Sequence, residues 1–241
     1  MRQDVMKEIS IRKKTVSLVL KAIVIISAIV GTVLSYFGGR NGFMSGTKVF
    51  MFFTIQSNIL IAIISAIGVC ILLKGRDIHN FAKAWYVIKL VGTVSITLTG
   101  VVFVFVLAPT LGAEAWNIHN ILTHVVVPLA AIVDFFVISG VTRIKKTIVL
   151  FVLIPPILYA IYAGIGFAKG LIFVEVFNLN YPYFFLNWGS PAGAWGFSKE
   201  LPFMGCAWWI LAIFFFLLVI GCIYLAIADR IARRSYRDDL R

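Results

Sequence analysis

The chain has 241 residues, 61% of them hydrophobic and only 13% charged, and its 22 Lys and Arg against 10 Asp and Glu give a formal net charge of +12. A mean hydropathy of +0.99 excludes a soluble globular domain and indicates a polytopic helical membrane protein. The basic residues flank apolar runs with no recognition motif among them, so the positive charge reads as lipid-facing and not as a nucleic-acid footprint.

A helix crossing the hydrocarbon core needs about 20 apolar residues. Six stretches qualify, roughly 15–37, 49–73, 84–108, 119–140, 147–167 and 203–228. The short alternating segments of a β-barrel are absent. The expected fold is all-α: a polytopic transmembrane bundle of six helices forming one integral membrane domain over 1–241. The first apolar run is about 23 residues, longer than the roughly 7–15-residue core of a signal peptide, and reads as a retained helix. Lys21 lies near enough to its end to snorkel.

Sixteen Lys and Arg residues fall before the first run, in the second and fourth loops and in the C-terminal tail; the alternate loops carry four, Arg40, Lys48, Lys169 and Lys199. The positive-inside rule then places both termini in the cytoplasm, in a plasma membrane of bacterial type. Three cysteines, Cys70, Cys206 and Cys222, make no disulfide framework and read as small packing residues.

The second stretch opens with Phe53-Thr54-Ile-Gln56-Ser57-Asn58, a hydroxyl and two amides near its start. The third carries Lys89 and a small, polar stripe of Thr93, Thr97 and Gly100 suited to helix packing. The fourth opens with Asn120-Ile-Leu-Thr-His124-Val-Val-Val-Pro128 and carries Asp134 further on. A Lys89–Asp134 pair would spare either charge from standing alone in lipid, and a proton or ion relay is the alternative use of the same two groups. Pro155-Pro156 should kink the fifth helix. The loop over 168–202 is too aromatic for a solvated tether. It reads either as a cap folded into the headgroup layer or as an aromatic belt that anchors helices.

An ionisable side chain in a membrane helix is costly and invites a functional reading. Thr54 and His124 each lie five residues into their stretches, so both sit about 7–8 Å deep at 1.5 Å per residue. Asn58 follows Thr54 by four residues and Asn120 precedes His124 by four, which puts each pair on one helical face. A neutral imidazole within reach is the usual base for a hydroxyl nucleophile. Amides such as Asn58, Asn120 or Gln56 suit an oxyanion or the fixing of the histidine tautomer. Asp134, about 15 Å from His124 along the helix axis, cannot orient it; Glu114 and Glu175 in the loops are the other acids, or the pair acts as a dyad. The plainer reading is that these polar groups only hydrogen-bond neighbouring helices. Paired haem ligands are not available, since His119 and His124 differ by about 500° of rotation and His79 lies in a loop. No metal-ligand spacing or phosphate loop is present, and no cofactor is expected.

At these residues the chain resembles the androgen-induced protein family of multi-span membrane proteins. The likeness rests on Phe53-Thr54-Ile-Gln-Ser-Asn58, on Asn120-Ile-Leu-Thr-His124-Val-Val-Val-Pro128 with Asp134 downstream, and on Tyr181-Pro182-Tyr183-Phe-Phe-Leu-Asn187, in span order. Animal members hydrolyse fatty acid esters of hydroxy fatty acids with an intramembrane Thr and His. The resemblance therefore implies Thr54 as nucleophile and His124 as base, acting on a lipid-like ester drawn from membrane lipids. The Thr–Asn spacing is one residue longer here than in animal members, which leaves Ser57 as the alternative nucleophile. A transporter or a lipid- or solute-binding protein, using the same polar residues without covalent chemistry, is the other function these features allow.

Overall fold

A computed structural model describes residues 11–38, 46–74, 82–138 and 145–238. Six helices in it are long and apolar enough to cross a membrane: α1 (Ile11–Gly38), α2 (Phe53–Lys74), α3 (Lys83–Leu111), α4 (Ile118–Val137), α5 (Lys146–Ala168) and α6 (Cys206–Arg234). Helix accounts for 81% of the structure, with no strand among the described residues, so the expectation of an all-α six-helix bundle holds. Helices are what an apolar chain must form in lipid, because each backbone N–H and C=O then finds its partner within one segment. His79, expected in a loop, lies outside the described residues.

The hub of the bundle is α3. Of its most apolar 18-residue stretch 61% is buried, against 17% for α6. On one side α3 meets α1, α2 and α4 around Val24, Ile61, Ile96 and Val127; on the other it meets α5 and α6 around Val94, Val152, Leu217 and Tyr224. The small, polar stripe on α3 serves this packing. Thr93 and Thr97 are buried, and Thr97 Oγ1 lies 2.9 Å from Tyr224 Oη on α6. Cys206 is buried, whereas Cys70 and Cys222, expected to pack inside, are exposed.

Prolines shape three of the helices. Pro155 and Pro156 were expected to kink α5, and the helix changes type there. Lys146–Leu153 is 3₁₀ and Ile154–Ala168 is α, with the prolines in the first turn of the α part, where a missing N–H costs nothing. In α3 a π turn, Phe103–Leu107, runs up to Pro109, and in α4 a π turn, Leu122–Val126, runs up to Pro128. A proline ring crowds the carbonyl four residues back, and a wider turn relieves it. Such π turns recur at functional sites.

The segment from Ala168 to Cys206 folds back against the bundle. α5 ends at Ala168; Gly170 follows at φ +67° and Leu171 N donates to Gly166 O at 2.8 Å, a glycine-terminated cap that turns the chain back. Val174 and Leu179 then bridge antiparallel. Phe173 and Val174 are buried against Phe52, and Phe185 and Leu186 against Tyr159 and Ala163. The loop is thus a cap whose aromatic side chains reach into one end of the bundle.

Candidate active site

Thr54 is the second residue of α2. The expected run from 49 is broken, because Gly46–Met51 forms a separate 3₁₀ turn before it. His124 lies in the π turn of α4. The two side chains, buried at 6% exposure each, meet: Thr54 Oγ1 is 3.3 Å from His124 Nε2.

The surroundings of the imidazole decide which of its nitrogens carries the proton. Nδ1 lies 3.1 Å from Asn120 O and 3.0 Å from Thr123 Oγ1. The Thr123 hydroxyl donates to His119 O at 2.8 Å, so its oxygen is free to accept. Both neighbours of Nδ1 therefore accept, which assigns the proton to Nδ1 and leaves Nε2 as a bare acceptor facing Thr54. The Asn120 carbonyl thus fixes the tautomer and orientation of the ring. The ring also stacks on Phe103 from the π turn of α3, centroids 3.9 Å apart at 22°. Gly100 lets α3 approach this closely, since a Cβ there would stand 2.9 Å from His124 O.

The amides expected to hold an oxyanion are engaged elsewhere. Asn58 Nδ2 donates to Thr54 O at 2.8 Å and to Thr123 O at 3.1 Å, so Asn58 bolts α2 to α4 beside the Thr54–His124 contact. Asn120 Nδ2 donates to Ala115 O at 2.9 Å and helps secure the start of α4, beside the Asn117 side chain that caps it. Gln56 is exposed and donates to Phe50 O at 3.0 Å. Ser57 is 2.7 Å from Thr99 Oγ1 and donates to Thr54 O at 3.0 Å. Of the two candidate nucleophiles, it is Thr54 that has a hydrogen bond to His124.

The other polar group beside Thr54 is one to which the sequence assigned no site role. Tyr183, from the cap, puts its hydroxyl 3.4 Å from Thr54 Oγ1 and 3.4 Å from Thr54 N. Burial raises the Tyr183 phenol above its ordinary pKa, an effect its hydrogen bonds to Thr54 moderate, so it stays a neutral donor. From the sequence it stood only in the aromatic loop and in the Tyr181-Pro182-Tyr183-Phe-Phe-Leu-Asn187 element of the family resemblance, with no role at the site. Nothing local in Phe103 or Tyr183 reveals a partner far along the chain.

On its other side Thr54 opens onto an apolar cavity of about 60 Å³ walled by Phe53, Leu98 and Val102, by Pro156 and Tyr159, by Phe185 of the cap, and by Ile210 and Ile213 of α6. The half of α5 beyond Ile154 has few contacts with α6, which packs on the Lys146–Leu153 part; the Phe184–Leu186 turn of the cap sits against both helices. The cavity thus lies where the two helices part, and Ile210 and Ile213 are only half-buried.

The charged groups form a separate cluster. Asp134 accepts from Ser17 and is paired with Lys21, while Lys89 Nζ lies 3.4 Å from Asp134 Oδ2. Lys21 does not snorkel as expected. It is 2% exposed, and its stem passes over Gly68 to reach the aspartate, because two cations can share one buried carboxylate more cheaply than either can stand alone. Asp134 is therefore committed far from His124. Glu175 pairs with Lys48 at 3.5 Å, and the side chain of Glu114 lies outside those described. Among the described residues no group of three or more His, Cys, Asp or Glu could hold a metal ion.

Comparison of the chain with protein-family models, with curated proteins and with solved structures yields no match. The functional reading therefore rests on the geometry just given.

Proposed function

We propose that this chain is an intramembrane hydrolase of a lipid or fatty-acid ester, with Thr54 as nucleophile and His124 as general base. The observation that carries the reading is Thr54 Oγ1 at 3.3 Å from a bare His124 Nε2, on the wall of an apolar cavity. Nucleophile and base within hydrogen-bond reach, with the base oriented by a third group, is the general pattern of covalent acyl transfer. With both termini cytoplasmic by the positive-inside rule, the site lies under the outer leaflet of a plasma membrane, and an ester enters sideways between α5 and α6.

Thr54 Oγ1 attacks the ester carbonyl carbon while its proton passes to His124 Nε2. The tetrahedral adduct collapses by breaking the carbon–alkoxy bond, and the leaving oxygen takes the proton from His124 to depart as an alcohol. Water, losing a proton to the same nitrogen, then attacks the acyl-threonine; breaking the bond to Oγ1 releases the acid and returns the proton to Thr54. The resemblance to the androgen-induced family adds a reaction of this class on lipid esters.

The test is labelling of the purified, membrane-reconstituted protein with a fluorophosphonate, followed by mass spectrometry of the modified residue, together with turnover of a p-nitrophenyl fatty-acid ester. Modification at Thr54, with turnover lost in Thr54→Ala and His124→Ala variants that stay folded, supports the reading. Full activity in either variant refutes it. Saturable lipid binding or flux with no label on Thr54 would point instead to the transporter or lipid-binding alternative.

A further inference from the structure

We propose that Tyr183, carried by the cap, supplies the hydroxyl that stabilises the oxyanion of the acyl-transfer step, with the amide of Thr54 as the second donor. This rests on the Thr54–His124 reading and adds to it a catalytic residue from a different part of the chain.

In the tetrahedral adduct the oxyanion and Thr54 Oγ1 are bonded to the same carbon. A hydroxyl 3.4 Å from Oγ1 is therefore within hydrogen-bond reach of the oxyanion. The Thr54 amide belongs to the first turn of α2, where an N–H has no acceptor within its helix, and it points to the same Tyr183 oxygen at 3.4 Å. Two donors thus lie beside the nucleophile.

Other donors nearby are spoken for. Asn58 and Asn120 give their N–H groups to backbone carbonyls. Tyr159, the second phenol on the cavity wall, donates to Met51 O at 3.1 Å. Tyr183 accepts from Thr54 N, so its own proton is available to Thr54 Oγ1, whose proton in turn is directed to His124 Nε2. All three hydrogen bonds point toward the base. When Oγ1 bonds to the carbonyl carbon, the Tyr183 O–H keeps its proton and turns its hydrogen bond from Oγ1 to the new oxyanion. The ring is held for this by parallel stacking on Phe185 (centroids 5.1 Å, 3°) and by edge contact with Phe52 (5.8 Å, 80°). A preorganised donor of this kind in a buried site is worth about 10²–10³ in rate.

The experiment measures the rate of fluorophosphonate labelling at Thr54, and kcat and KM for a p-nitrophenyl fatty-acid ester, in wild type, Tyr183→Phe, Thr54→Ala and His124→Ala, each checked by thermal unfolding. The expected result for Tyr183→Phe is labelling and kcat lower by about 100-fold, with KM within about threefold; a merely structural tyrosine would shift KM and unfolding instead. A Tyr183→Phe labelling rate within about threefold of wild type, with Thr54→Ala unlabelled, overturns the role of Tyr183 and leaves Thr54 and His124 in place. Wild type with neither label nor turnover overturns both. If Tyr183→Phe does not purify folded, p-methoxyphenylalanine at 183 keeps ring and oxygen but removes the proton; it must show the same loss, and a wild-type rate overturns the proposal.

Discussion

Substituting Gly100 by alanine puts the geometry of the site under direct test. A Cβ at this position would stand 2.9 Å from His124 O and 3.3 Å from both Cβ and Cγ of Pro128, where ordinary contact begins at 3.4 Å. The nearest clash is with backbone, so no side chain can swing away, and α3 and α4 must separate by about 0.5 Å at the π turn that carries His124. Thr54 Oγ1 to His124 Nε2 starts at 3.3 Å, already a long hydrogen bond, and a shift of that size breaks it. Overpacking of this kind costs about 1–3 kcal/mol of stability. Misplacement by about half an ångström should cost about tenfold in fluorophosphonate labelling, given that about 1 Å costs about 10²-fold. Gly164→Ala is the control: a Cβ there meets only Trp188 atoms, at 3.8 and 4.0 Å, so the better helix propensity of alanine should leave the protein equally or slightly more stable. The assays are thermal unfolding in one detergent and labelling rate on the same samples. Gly100→Ala matching wild type in both would refute the close approach of α3 to His124 on which the site is built.

Three further outcomes follow from the same geometry. Asp134→Asn leaves Lys21 and Lys89 buried without their shared counter-ion and should destabilise by about 3–5 kcal/mol; Lys89→Met, which leaves the Lys21–Asp134 pair intact, should cost clearly less, and equal losses in denaturant unfolding would contradict the arrangement. Ser57→Ala removes a hydroxyl that bonds Thr99 and a backbone carbonyl and has no hydrogen bond to His124; labelling should stay within about threefold of wild type, and its abolition would move the nucleophile to Ser57. Ala160→Phe adds a ring to the cavity wall and should raise KM for long-chain esters far more than for acetate esters, with labelling by a small fluorophosphonate nearly unchanged; uniform loss across chain lengths would place the acyl chain elsewhere.

The six spans were legible in the sequence because lipid leaves an apolar backbone no other solution. Their ends were less so. Hydropathy alone started α2 near 49, but the 3₁₀ turn Gly46–Met51 precedes it and the helix begins at Phe53. That difference matters chemically, since it moves Thr54 from the second turn to the first and frees its amide from the helix ladder. The pairing of Thr54 with His124 could be anticipated from residue type and depth. The amides could not, because Asn58 and Gln56 are close in sequence yet one faces α4 and the other is exposed.

Sequence by itself determined that the chain fills a bilayer as helices, and which costly polar groups those helices carry; both follow from the price of polarity in hydrocarbon, which is paid residue by residue. Tertiary structure decided which of those groups meet. Lys21 turns inward because Asp134 stands across the bundle, Nε2 faces Thr54 because carbonyl and hydroxyl oxygens of α4 claim Nδ1, and Tyr183 reaches Thr54 from 129 positions further along the chain. Periodicity and composition report a residue's own solvent preference. Partnerships between distant segments depend on how whole helices pack, at a resolution of ångströms that no local pattern encodes.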